Sequence, residues 1–287
     1  MLDRDLMNIQ NRIIPILLLL TAATEWAVAA APHENLPSAQ WIVSNVVRRV
    51  ELSSKLTGAK PYRYTRETVI EELDGKGDVK SRKAKTHEVT LVSGIPFPRL
   101  THQDGKTLSA EDARKANELD QKTRDEFVKK KSVQRVDRIQ TFLNQELFSR
   151  YALTPVRREM VNNRSCYVMN YLPKTGIAGD ESMMDRVLNN MSGTLWVDEA
   201  DFEIARVTMV LGKRISLWGG LLGVLDRLQM TLDRAPGTDG VWFNRSGWVA
   251  VEGRKLLDKI RIKAWEETKD FGPAPVPPQA PGSLIRN

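Results

Sequence analysis

The side chains best suited to chemistry are few and scattered. The three histidines, His33, His87 and His102, share no ligand spacing, and no H-E-x-x-H run or paired-cysteine motif occurs to complete a zinc site. Cys166 is the single cysteine. It lies in an apolar, β-type run with no His or Asp nearby to take its proton, so it reads as a buried structural thiol. Ser216 and Ser246 have no nucleophile-elbow context, and no glycine-rich loop is spaced to cradle a phosphate. Glu71, Glu72 and Asp74 precede a turn and read as solvated carboxylates. These residues assemble no catalytic constellation, and the expectation is a protein that is not an enzyme and carries neither metal nor cofactor.

The N-terminus reads as an export signal. Arg12 precedes an apolar run, IIPILLLLTAA, and Ala27-Val28-Ala29 follows it, which is the charge, apolar-core and small-residue order of a signal peptide. The run is shorter than the roughly 20 residues of a membrane span, and Glu25 interrupts any extension. Residues 1–29 are therefore expected to be a leader and the mature protein to be periplasmic. A formal net charge of +7 is spread along the chain rather than gathered. That favours a solvated basic exterior over a nucleic-acid surface, and no nucleic-acid partner is expected. A lone cysteine leaves no internal disulfide, so stability must come from a core.

The elements that follow are mostly β. Residues 36–56 place Trp41, Ile42, Val46, Val47, Val50 and Leu52 at helical spacing, an amphipathic helix to lie on a sheet. Residues 62–73 and 79–92 flank Asp74-Gly75-Lys76-Gly77 as a hairpin with one very polar face. Pro96 and Pro98 break the pattern at 94–100, and Asp104-Gly105-Lys106 is a further turn. Ser109 then caps a charged helical insertion over 109–131, either a solvent-facing excursion or a partner surface. Apolar residues at helical spacing over 136–152 indicate another helix, and residues 156–161 and 165–172 form a hairpin around Asn162-Asn163.

The run MSGTLWVDEADFEIARVTMVL at 191–211 organises the rest. Two strands flank the turn Asp198-Glu199-Ala200-Asp201, pairing Leu195 with Ala205 and Gly193 with Val207. Alternation puts Leu195, Val197, Ala205, Val207, Met209 and Leu211 on one face, and Ser192, Thr194, Arg206 and Thr208 on the other. The glycine-interrupted ISLWGGLLGV at 215–224 is a buried plug or a movable lid. A closing meander carries Leu228, Met230, Ile260 and Ile262 in alternation, and residues 272–287 are a Pro-rich disordered tail.

The resulting fold class is α+β, mainly β: a curved antiparallel sheet with helices on its concave side, able to enclose an apolar cavity between them. Residues 30–271 are expected to form one domain. The Y-R-Y step at Tyr62–Tyr64, G-T-L-W-V-D at Gly193–Asp198 and F-E-I-A-R at Phe202–Arg206 resemble the LolA/LolB-like outer-membrane lipoprotein-sorting superfamily. D-G-K-G at Asp74–Gly77, G-K-x-L-S at Gly105–Ser109 and S-C-Y-V at Ser165–Val168 are similar to further LolA-like proteins. The resemblance implies an incomplete, half β-barrel closed by helices that holds acyl chains without catalysis; the charged helix is an addition to that pattern.

The functional expectation is a carrier for a lipid, lipoprotein acyl chain or other hydrophobic ligand, acting as a monomer. Its cavity wall would be Leu195, Val207, Met209, Leu211, Leu228, Met230, Ile260 and Ile262, with Leu217, Trp218, Leu221 and Leu222 as lid. The alternative is a cell-envelope interaction module with a filled core, binding a protein partner through the charged helix and basic face.

Overall fold

Period-two alternation runs through most of the chain after residue 60, and it builds one sheet. A computed structural model describes residues 35–57, 61–92, 95–130, 145–175, 183–217, 223–255 and 258–274. The expected leader, residues 275–287 of the expected Pro-rich tail and Trp218, Leu221 and Leu222 of the expected lid lie outside the described residues, whereas Gly272 and Pro273, expected in the tail, pair with Arg63 and Tyr62 as strand. The strands are β1 (Tyr62–Leu73), β2 (Val79–Val92), β3 (Ile95–Gln103), β4 (Lys106–Thr107), β5 (Tyr151–Val161) and β6 (Arg164–Pro173). They continue as β7 (Met191–Asp198), β8 (Ile204–Leu211), β9 (Ile215–Leu217), β10 (Gly223–Pro236), β11 (Trp242–Lys255) and β12 (Asp258–Pro273). The helices are α1 (Ala39–Thr57), α2 (Ala110–Lys130), α3 (Gln145–Ser149) and α4 (Met183–Leu188).

The sheet order is β4-β3-β2-β1-β12-β11-β10-β8-β7-β6-β5, with β9 paired to β10, and its pairings are antiparallel. Neighbours in sequence are mostly neighbours in space, and the long-range exception joins the first strand to the last, β1 to β12. The sheet curves without closing: the antiparallel α+β sheet that the alternation implied and the half-barrel that the resemblance implied.

Turn chemistry sets the hairpins. Asn162 and Asn163 both take left-handed backbone, with φ of 49° and 61°, the conformation that a two-residue turn requires and asparagine tolerates. The Asp74 carboxylate accepts the amides of Lys76, Gly77 and Asp78 at 2.8–3.0 Å and so closes β1 onto β2. Those bonds hold its carboxyl below the ordinary carboxylate range, the amide of Lys76 contributing most.

The core forms where α1 meets β5 to β8. Ile42, Val43 and Val46 pack on Tyr167, Met169, Tyr171, Leu195, Val197, Ile204 and Val207, and Ile42 and Val46 are essentially inaccessible. The helix is rotated slightly from the expected stripe. Trp41 and Leu52 are each 47% exposed, and Ser53 is buried in place of Leu52. Trp41 instead lies edge-on to Phe202 at 5.3 Å, covering the rim of the core. The reverse face of the sheet has its own cluster of Val161, Cys166, Val168, Trp196, Ala205 and Trp242. Cys166 is fully buried, and loss of solvent pushes its thiol up to about 12, as expected of a structural cysteine.

Three local expectations are corrected. Residues 94–100 are not a break, because Ile95–Gln103 is strand β3, with Pro96 opposite Leu91 and Pro98 opposite Val89. β3 meets the two-residue β4 only at His102 and Gln103, so both prolines lie along an open edge that needs no amide donor. The expected helix over 136–152 is helical at Gln145–Ser149 among the described residues, and Tyr151 already pairs with Pro173.

The third correction concerns the central hairpin. Leu195 pairs with Val207 and Gly193 with Met209, two residues from the expected register. The Asp198 carboxylate binds the amides of Ala200 and Asp201 and the guanidinium of Arg164, and Phe202 turns left-handed at φ 56°. Phe202 and Glu203 are thereby drawn into the turn. A shift of two keeps Leu195, Val207 and Met209 on the expected face. A bulge beside Trp196 and Val197 sends Ala205 to the reverse face and brings Ile204 inward.

Candidate functional site

A cavity of about 190 Å³ lies over the inner face, walled by residues that the strands alternate into it. β10 supplies Met230, Leu232 and Arg234; β8 supplies Ile204, Val207 and Met209; β7 supplies Leu195. Tyr171 comes from β6 and Tyr151 and Leu153 from β5, while Leu147, Phe148 and Leu188 reach in from α3 and the end of α4. The wall is almost wholly apolar because its polar groups bond elsewhere. Tyr151 donates to the Leu188 carbonyl at 2.7 Å and Tyr171 to the Thr208 carbonyl at 2.8 Å. Burial raises the pKa of both phenols, so they stay protonated donors.

The short helices are tied to one another. Arg150, just after α3, donates to Asp185 of α4 at 2.7 Å and to Glu146 at 3.3 Å. With the Tyr151 bond, this holds α3 and α4 over the same end of the cavity. Gly193 serves the opposite purpose on the wall. A Cβ there would stand 1.9 Å from the Thr208 carbonyl oxygen and 2.8 Å from the Tyr171 hydroxyl, so only glycine lets Tyr171 cross β7.

One wall residue is charged. Arg234 is 4% exposed and reaches Glu203, itself 3% exposed, through Nη1 at 2.8 Å. Glu203 also accepts Arg49 Nε at 3.0 Å and the Ser53 hydroxyl at 2.6 Å, both from α1. A buried carboxylate thus joins the helix to β10, and two guanidinium groups share it. Arg234 Nε is buried and finds no partner among the described residues.

Of the residues that sequence placed in the wall, Leu195, Val207, Met209 and Met230 line this cavity. Leu211 and Leu228 do not; they pack beside it with Met191 and Ile215. Ile260 borders a separate, polar depression with Arg227, Glu252 and Arg261, and Ile262 pairs with Val251 on the far side of β11. Curvature of the sheet separates β12 from β7 and β8, which no alternation along one strand records. Leu217 ends β9, opposite Gly223. Sequence reasoning missed the tyrosines, the α3 and α4 residues and Arg234. The last was legible, since Arg234 continues the parity of Leu228, Met230 and Leu232.

Among the described residues, no group of three or more His, Cys, Asp and Glu side chains is arranged to hold a metal ion. No described helix is long and apolar enough to cross a membrane.

No protein-family model matches the chain, and no curated protein matches it. The chain is similar, at low identity, to several solved structures. A LolA superfamily protein from Nitrosomonas europaea aligns at 11% identity over 84% of this chain and 96% of its own, with a TM-score of 0.32. The lipoprotein LppX of Mycobacterium tuberculosis aligns at 10% identity over 84% and 99%, with a TM-score of 0.30. A DUF1329 family protein from Desulfovibrio piger aligns at 11% identity over 81% and 91%, again with a TM-score of 0.30.

Proposed function

We propose that this protein is a non-catalytic carrier that holds a hydrophobic ligand, of the acyl-chain type, between its sheet and its short helices. The observation that carries the reading is the cavity itself: an apolar wall at the sheet–helix interface whose tyrosine hydroxyls are turned to backbone carbonyls. Its size sets the scale of the ligand. A dry cavity near 150 Å³ accommodates benzene, so about 190 Å³ suits a single alkyl segment rather than several full acyl chains. Met209 and Met230 suit such a ligand because thioethers repack at little cost. The leader pattern in residues 1–29 supports a periplasmic setting.

The interaction-module alternative has less support. Four charges of α2 pair within the helix, as Lys115–Glu111 and Arg114–Glu118 at 2.6 Å each.

The test is uptake of a fluorescent hydrophobic probe, N-phenyl-1-naphthylamine, by the mature protein and its Met209→Asp and Met230→Asp variants. Met209 pairs with Met230, four residues and so roughly 13 Å along β10 from Arg234, so a carboxylate at either position is buried among apolar groups and costs ligand binding more than it costs the hairpins. Loss of the fluorescence enhancement with unchanged circular dichroism is expected. Unchanged uptake by a folded Asp variant would sink the assignment.

A further inference from the structure

One donor at the cavity wall, Arg234 Nε, lacks a partner among the described residues. Arg49 and Arg234 contribute two positive charges and Glu203 one negative charge to the same hydrogen-bonded group. Arg49 and Ser53 bond one oxygen of Glu203 and Arg234 the other. Arg49 is 23% exposed and can be solvated, but Arg234, at 4%, cannot. Arg234 lines the apolar cavity with its Nη1 engaged by Glu203 and the Ile204 carbonyl and its Nε buried and without a partner among the described residues. A buried donor left unsatisfied is costly.

Building on the carrier reading, we propose that the ligand is a single-chain carboxylate, bound head inward. Its carboxylate docks on Arg234 and its alkyl chain lies along Met230, Leu232, Met209 and Leu195. Arginine presents donors in a planar fork that a carboxylate fits in two-point fashion, and in an apolar site such a bond is stronger than in water. Neutral lipids of the same chain length offer the Nε only an uncharged oxygen, which accepts a weaker bond. The site thus selects by head group as well as by apolarity, which an apolar wall alone does not do.

The test uses the intact mature protein and three ligands of one length: decanoate, decanol and methyl decanoate, measured by displacement of the same naphthylamine probe at pH 7.5. Decanoate is expected to bind at least about tenfold more tightly than the other two, the least that a buried charge-assisted bond supplies. In Arg234→Met the preference for decanoate over decanol should vanish. Equal affinities for acid and alcohol in the wild-type protein would overturn the head-group assignment while leaving the carrier reading intact. Binding of none of the three, and of no probe, would overturn both. The wild-type comparison decides the matter even if the variant fails to fold. A decanoate preference that persists in folded Arg234→Met would equally refute the role given to Arg234.

Discussion

Replacing Glu203 by glutamine should cost more stability than any single hydrogen bond in this molecule. Glu203 is 3% exposed and is the only carboxylate among the described residues that Arg49, Ser53 and Arg234 share. An amide in its place leaves Arg234 as an uncompensated charge in an apolar wall and points a donor at another donor. Breaking a buried ion pair by removing one partner costs about 3–5 kcal/mol. Arg49 is 23% exposed and regains water, so the lower end, about 3 kcal/mol, is expected. For a chain of this size that lowers Tm by about 6–12 °C. Ser53→Ala removes one hydroxyl bond to the same carboxylate and should cost about 1 kcal/mol. The informative variant is the double replacement Glu203→Leu with Arg234→Met. It removes both buried charges, so it should be more stable than Glu203→Gln alone, although it changes two residues instead of one. Urea unfolding followed by circular dichroism measures all four proteins, and the slopes should agree. If Glu203→Gln costs no more than Ser53→Ala, or the double variant is the least stable, the charge accounting is wrong.

Two further outcomes follow from local geometry. Gly193→Ala places a Cβ 1.9 Å from the Thr208 carbonyl oxygen and should destabilise by about 1–3 kcal/mol or more, whereas at Gly247 the nearest atom is 3.7 Å away and Ala should be near neutral; comparable Tm values for the two variants would contradict the crossing of Tyr171 over β7. Asp74 has a carboxyl held below its unfolded value by three backbone amides, so its stabilising effect is complete above the ordinary carboxylate range and disappears as pH falls through the lowered folded pKa. The Tm difference between wild type and Asp74→Ala should accordingly be present at pH 7 and shrink in acid; a gap that widens as pH falls would refute it.

What the sequence determined by itself was mainly local. Period-two alternation and the turn residues Asn162-Asn163, Asp74-Gly75 and Asp104-Gly105 located most hairpins, because each rests on a few adjacent dihedrals. Ser109 marked the start of α2 for the same reason, its hydroxyl accepting the Asp112 amide. Alternation also put Leu195, Val207, Met209 and Met230 on the inner face, and this survived a two-residue register shift because the strand period is two. The tertiary structure decided which apolar residues on that face share one space. Leu228, Ile260 and Ile262 have the right parity but the wrong place along a curving sheet. It also decided where charge would be buried. Glu203 entered the core because Asp198 and Arg164 extended a turn, and Ser53 and Arg49 met it because α1 docked with its stripe rotated past Leu52. Those contacts join residues about 150 positions apart, through side chains whose burial depends on the packing of every strand between them.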